Sequence, residues 1–165
     1  MAKIEMTGMD AYIRQLEGLA NGTEAVCKAA VYAGADVVAD EVRAGLNSLR
    51  VVSDKAALAA WQKSEPTRIS YSQRQALLDS LGVAPIRGKF GAWSTKVGFD
   101  GYNAIQTERW PSGQPNQLIA RACESGSSAM LKQPFMRPTV NKSKARAEQA
   151  MAEAADKELK KLTGG

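Results

Sequence analysis

One apolar stripe constrains the fold of this chain more than any other feature. It follows Thr23, a suitable N-cap, and repeats at helical spacing for about seven turns of 3.6 residues each. Its positions are Val26, Ala30, Ala33, Val37 or Val38, Val42, Leu46 and Leu49. The helix is rich in alanine, so a neighbouring element can approach it closely. The acidic residues Asp36, Asp40 and Glu41 fall on the polar side of this helix and are predicted to face solvent.

Shorter helical patterns flank this stripe. A first amphipathic helix is predicted from the apolar spacing of Met9, Tyr12, Ile13, Leu16 and Leu19. The pair Asn21-Gly22 is expected to end it before the long helix begins. Ser53 can cap a third, short helix that Pro66 stops. Ser72 and Gln75 have the spacing of a capping box, which predicts a further helical turn after them.

The apolar period changes from 3.6 to 2 in the middle of the chain. Four alternate residues then predict a strand with one apolar face: Trp93, Thr95, Val97 and Phe99. The stretch from Val83 to Arg87 is its expected partner, joined through a hairpin loop over Gly88 to Gly91. Residues 101–117 include three turn formers (Pro111, Gly113 and Pro115) and are predicted to form a long exposed loop.

Two more helices complete the expected fold. One should run from Pro115-Asn116 to Ser125-Gly126, and the last should open at Thr139, because Pro134 and Pro138 favour extended backbone before it. We therefore expect one α+β domain over residues 1–165. A small antiparallel sheet, with a hairpin around residues 83–99, should pack against a long N-terminal helix and a long C-terminal helix.

The chain contains no histidine. Its absence removes the usual general base near neutral pH, the commonest metal ligand, and the Ser-His and Cys-His nucleophile pairs. Cys27 and Cys123 form no C-x-x-C pair and are predicted to be buried, reduced thiols. No phosphate-binding loop or dinucleotide fingerprint occurs. We predict that the chain is not an enzyme and has no catalytic residue, no metal site and no cofactor; an enzyme using Cys123 is an alternative for which we can propose no activity.

The net charge of +5 is unevenly distributed. Residues 1–50 carry five bases and seven acids, whereas residues 111–165 carry nine bases and five acids. Between Glu124 and Glu148 every charged residue is a base, and such a stretch can face nucleic acid or an acidic protein. With the exposed loop, it supplies the candidate interaction surface: Arg109, Trp110, Gln117, Lys132, Arg137, Lys142, Lys144 and Arg146.

The N-terminal residues are not followed by an apolar run typical of a signal peptide, and nowhere do 18 consecutive apolar residues occur. We expect no membrane contact and folding in a reducing cytoplasm.

Four segments of the second half stand in a distinctive order: VGFDGY (Val97–Tyr102), PNQLIARA (Pro115–Ala122), ESG (Glu124–Gly126) and QPFMRP (Gln133–Pro138). Their order and spacing resemble a family of neck or tail-completion proteins of long-tailed double-stranded-DNA phages and prophages. Leu77 and Ser80 also match a turn of that family, although Arg74-Gln75 replaces its Thr-Gly. Residues 50–72 are longer than the family pattern and are predicted to be a helical insertion.

The resemblance implies a structural part of the virion, made in the host bacterial cytoplasm. Family members act as subunits of a homo-oligomeric ring at the head-tail junction, beside a head-closure or connector protein and a tail terminator or tail tube protein. DNA would pass through the lumen without specific binding. The alternative hypothesis is a small nucleic-acid-binding module. It would use the mixture of aromatic and basic residues in the middle of the chain together with the basic stretch.

Overall fold

Two long antiparallel helices run side by side and give this molecule its length. The computed structural model describes residues 9–89 and 91–163. Within these residues it contains α1 (Met9–Asn47), α2 (Asp54–Gln62), α3 (Tyr71–Ser80), β1 (Leu81–Val83), β2 (Arg87–Lys89), β3 (Ala92–Ser94), β4 (Val97–Phe99), α4 (Asn116–Ser125) and α5 (Met136–Thr163). The expected α+β class is confirmed.

Small residues let α1 and α5 approach each other closely. A Cβ atom placed on any of three α1 glycines would lie under 3.0 Å from an α5 side chain: Gly22 from Leu162, Gly34 from Met151 and Gly45 from Thr139. The glycines are about three helical turns apart and therefore share one face. Their α5 partners follow in reverse order, which defines the antiparallel contact.

The predicted break at Asn21-Gly22 is wrong, because α1 continues through it. Glycine in a helix interior costs only about 1 kcal/mol relative to alanine. Here Gly22 is buried beneath Leu162, where a larger side chain would clash. Packing against the end of α5 thus outweighs the local preference for a turn.

The predicted hairpin is present as two short ladders. Strand β1 pairs with β4, and β2 pairs with β3, both antiparallel. Between the ladders, Pro85 and Ile86 oppose the single residue Thr95, so the pairing shifts by one residue in the manner of a β-bulge. Strand β2 reaches Lys89, and the turn is therefore shorter than the predicted loop over Gly88 to Gly91.

The hairpin lies against α1 and reaches the start of α5. The Ile86 N–H donates to the Tyr32 hydroxyl at 3.5 Å, and the Lys28 ammonium lies 5.3 Å from the Trp93 ring centroid. At the other end, Phe135 packs edge-on against Phe99, with ring centroids 6.1 Å apart.

The core forms where the C-terminal half of α1 meets α3, α4 and the base of the hairpin. Its buried members are Val42, Leu46, Ile69, Leu77, Ile119, Ala120, Cys123, Met130 and Phe135. Ile69 and the half-buried Val51 come from the predicted insertion 50–72, whose two ends are joined by a bridge between Val52 and Ser70. Both ends of that segment therefore belong to the core region, while α2 between them contains no buried residue.

The N-terminal cap of α2 is the predicted one, whereas the cap of α3 is formed by other residues than predicted. Ser53 caps α2 as predicted, its hydroxyl accepting from the Ala56 N–H at 3.2 Å. The capping box of α3 is formed by Ser70 and Gln73, two residues before the predicted pair. Ser72, predicted to be the cap, instead donates its hydroxyl to the Asp54 carboxylate at 2.7 Å.

Candidate assembly surface

The loop after β4 is closed at its base by buried asparagines. The Asn103 Oδ1 accepts from the N–H groups of Ile105 and Gln114 at 2.9 and 3.0 Å. Asn116 donates its backbone N–H to Gly101 and its side-chain amide to the Asp100 carbonyl. Gly113 has a φ of +101°, and a Cβ there would clash with the Asn103 carbonyl. The predicted long loop is thus exposed at its tip and buried at its base.

The tip of this loop brings two predicted surface residues together. Thr107 and Trp110 exchange backbone hydrogen bonds of 3.1 and 2.9 Å, which fold the tip into a tight turn. The Arg109 guanidinium lies 5.5 Å from the Trp110 ring centroid. Gln117 is exposed in the first turn of α4, just after the loop closes.

Glu124 organises the connection between α4 and α5. Its carboxylate accepts from the backbone N–H groups of Phe135, Met136 and Arg137 at 2.7, 2.8 and 3.2 Å. Partial burial acts to raise the pKa of Glu124, but these hydrogen bonds together with the nearby Arg137 charge outweigh it, and the pKa is lowered. The predicted start of the last helix at Thr139 is wrong, because this carboxylate satisfies the first free N–H groups and α5 begins at Met136.

Lys132 and Arg137 lie beside this connection. Together with Glu124, Ser125, Pro134 and Pro138 they line a shallow depression of about 400 Å³. Both basic residues are exposed, and neither forms a close ion pair in the part of the chain that the structure describes, although the nearby Arg137 charge helps to lower the pKa of Glu124. We call this pair the basic edge. Glu124 was missed by the sequence reasoning because its partners follow eleven to thirteen residues later.

The remaining predicted bases are partly neutralised within the chain. Lys142 pairs with Glu41 of α1 at 3.4 Å, and Arg146 pairs with the same carboxylate. Glu41 was predicted to face solvent, but only 13% of its side chain is exposed because it lies between the helices beneath these two cations. Lys144 faces Glu148 one turn along α5, at 3.9 Å. The acid-free stretch is therefore not one open basic patch.

The eight predicted surface residues fall into three groups rather than one. Arg109, Trp110 and Gln117 lie at the loop and the start of α4. The basic edge lies at the other end of α4, a helix of ten residues that is about 15 Å long. The third group lies on α5 and consists of Lys142, Lys144 and Arg146.

A groove between α3 and the closed loop is not predicted by any local sequence pattern. Its volume is about 510 Å³, and it is lined by the exposed residues Tyr71, Asp79, Asp100 and Tyr102 and by the buried residues Asn103 and Asn116, among others. We call it the acidic groove. No ion pair involves either aspartate within residues 9–89 and 91–163. Asp79 and Asp100 are 21 residues apart in sequence, so no local pattern indicates that they line one groove.

Cys123 is fully buried in the core, as predicted. Burial, with a smaller contribution from the neighbouring Glu124 charge, raises the pKa of its thiol to about 11. The thiol donates to the Gln133 carbonyl at 3.5 Å. Such a group is protonated at neutral pH. Cys27 is a free cysteine on α1 that is only half-buried, so the prediction that it is buried is wrong.

Helix α2 presents large apolar side chains to solvent. Leu58 and Trp61 are 55% and 63% exposed, and the helix contains no buried residue. Apolar surface of this kind is typical of an interaction site when several such residues occur together.

Comparison with protein-family models, with curated proteins and with solved structures found no match to this chain. In the described residues, no helix combines the length and apolar character needed to cross a membrane. Nor do three or more Cys, Asp or Glu side chains there gather into a group that could hold a metal ion.

Proposed function

We propose that this chain is a structural protein of the virion, a neck or tail-completion subunit at the head-tail junction of a long-tailed phage. In this role it joins a homo-oligomeric ring and contacts a head-closure or connector protein on one side and a tail terminator or tail tube protein on the other. The ring surrounds the path of the DNA without binding a specific sequence.

The observation that carries this proposal is the unburied helix α2. Helix α2 has no fully buried residue and only two half-buried alanines, Ala57 and Ala60, so it gains little from folding onto a monomer, yet it exposes Leu58 and Trp61. Burying one such side chain is worth about 1.5–3 kcal/mol. A protein partner that covers this face would therefore stabilise both the helix and the contact.

The segments that resemble the phage family also support the proposal, because they are neighbours in space. The segment VGFDGY contains β4 and the start of the closed loop, and PNQLIARA forms most of α4. The segments ESG and QPFMRP are joined through the Glu124 carboxylate and the first N–H groups of α5. The resemblance thus covers one continuous structural unit.

The test is incorporation into purified particles of the phage or induced prophage that encodes the chain. Wild-type protein should be found in finished particles by mass spectrometry. A variant with Leu58→Ser and Trp61→Ser should fold, because both side chains are exposed, but should be depleted from them. A matched variant of the same helix, Lys55→Ser with Gln62→Ser, should be incorporated normally. Absence of the wild-type chain from finished particles would overturn the proposal.

The alternative, a nucleic-acid-binding module, is favoured by the Arg109–Trp110 pair at the loop tip, since stacked arginine and tryptophan can hold an unpaired base. It predicts binding to single-stranded DNA or RNA that weakens steeply with salt and with Trp110→Ala. Under the leading proposal no such binding is expected at physiological salt.

A further inference from the structure

We propose that the acidic groove of one copy receives the basic edge of a second copy. This inference rests on the proposed function, because it names one contact by which ring subunits would join. The groove's Asp79 and Asp100 would pair with Lys132 and Arg137 of the neighbouring copy. The contact is heterologous, since a different surface of each copy takes part.

The wall of the acidic groove is polar. Asn103 and Asn116 are only 7% and 3% exposed, and each keeps one side-chain atom without a hydrogen-bond partner in the described structure: the Nδ2 of Asn103 and the Oδ1 of Asn116. Leaving such buried groups unpaired costs about 1–3 kcal/mol each. Both unpaired atoms are closed off from solvent, so they mark a polar wall behind the exposed side chains of the groove.

Charge selects a basic peptide rather than nucleic acid. Asp79 accepts from the Gln75 side-chain amide at 2.9 Å, and Asp100 accepts from the Gly101 N–H at 2.7 Å, so both carboxylates are held in place without a cation. The exposed rings of Tyr71 and Tyr102 lie at the same groove and can pack against a guanidinium. Arg74 contacts Tyr71 but does not line the groove. Two carboxylates would repel a phosphate backbone.

The chain itself contains a matching surface. Of the five bases between Glu124 and Glu148, Lys142, Lys144 and Arg146 already have carboxylate partners. The other two form the basic edge. They flank an extended, proline-containing segment at the C-terminal end of α4, whereas the groove lies at its N-terminal end. A head-to-tail contact between copies therefore brings opposite charges together, whereas a symmetric contact through the groove alone would bring like charges together.

Two charge-reversed variants test this contact. The groove-reversed variant has Asp79→Lys and Asp100→Lys, and the edge-reversed variant has Lys132→Glu and Arg137→Glu. In sedimentation velocity at low salt, wild type should self-associate and each variant alone should remain monomeric. An equimolar mixture of the two should associate again, because each groove then meets an edge of opposite charge. High salt should dissociate this complex.

Controls separate charge matching from misfolding. Each variant should keep the wild-type circular dichroism spectrum, and reversing exposed charges elsewhere, as in Glu65→Lys with Asp156→Lys, should leave self-association unchanged. The milder pair Asp79→Asn with Asp100→Asn keeps one oxygen acceptor at each position and removes the charge. It should weaken self-association by about 2- to 30-fold, as expected for the loss of two exposed ion pairs.

The proposal is overturned if wild type stays monomeric at its highest soluble concentration in low salt. It is also overturned if the single variants associate like wild type, or if the mixture fails to associate. If the wild-type chain is found in particles but the two charge-reversed variants do not associate with each other, the docking contact is refuted and the head-tail role stands. If the two variants associate but the wild-type chain is absent from particles, the head-tail role is refuted and the docking contact stands.

Discussion

Replacing Glu124 should destabilise the protein by detaching the start of α5 from α4. In Glu124→Ala, three backbone N–H groups lose a charged acceptor at 2.7–3.2 Å. Loss of one capping side chain costs about 0.5–2 kcal/mol, and loss of an anion at a helix N-terminus adds about 0.3–1 kcal/mol. Because Glu124 is only half-buried and water can reach these N–H groups, we expect about 1–2 kcal/mol in the free energy of unfolding, measured in urea at pH 7.

The effect should depend on pH in a defined direction. The folded-state pKa of Glu124 is lowered, so its carboxylate stabilises the protein fully above its unfolded pKa of about 4.3. This contribution is lost as the pH falls through the lower, folded-state pKa. The difference between wild type and Glu124→Gln should therefore shrink below about pH 4. As a control, Glu153→Gln on the exposed face of α5 should change stability by less than about 0.5 kcal/mol. Equal effects of the Glu124 and Glu153 substitutions, or a pH-independent difference, would refute this account of the cap.

Three further perturbations probe the helix pair and the core. Gly34→Val should lower the free energy of unfolding by about 1–3 kcal/mol because the new side chain collides with α5, whereas the exposed control Ala44→Val should cost less than 1 kcal/mol, both measured in urea. Glu41→Gln should cost about 0.5–1 kcal/mol at low salt and less at high salt, since its two partners on α5 are exposed cations; equal costs at both salt levels would contradict the ion-pair explanation. Iodoacetamide should alkylate Cys27 well before Cys123 in the folded protein and both at similar rates in urea, as followed by mass spectrometry, because burial raises the pKa of Cys123 to about 11. Faster labelling of Cys123 would be inconsistent with its place in the core.

Local sequence signals predicted some helix boundaries accurately, but they failed where a contact with a distant residue determines the helix cap. Helix α4 occupies Asn116–Ser125 as expected, because Pro115 and Gly126 mark its ends within the sequence itself. Ser70-Gln73 and Ser72-Gln75 show the same capping spacing, and only contacts with the distant residues Val52 and Asp54 decide between them. Local sequence carries no information about which of two equal patterns is used.

The sequence did not show how the predicted surface residues are paired and grouped, for the same reason. The basic stretch contains no acid, but Glu41 supplies one from 101 and 105 residues away in sequence, and Glu124 supplies another to the backbone of α5. A charge count along the chain records neither contact. The acidic groove likewise depends on α3 and the closed loop meeting in space.

The charge-swap mixture also predicts the parity of a closed ring. A groove-reversed copy can join only an edge-reversed copy, because copies of one kind present like charges to each other. The two variants must therefore alternate around any closed assembly. If the natural ring contains an even number of subunits, the mixture should give one closed species of the same mass as the wild-type ring by light scattering or mass photometry. If the number is odd, strict alternation leaves one mismatched contact, and the mixture should form open chains whose mass grows with concentration. A wild-type ring of odd order together with a closed mixture of equal mass would show that subunits join through a different pair of surfaces.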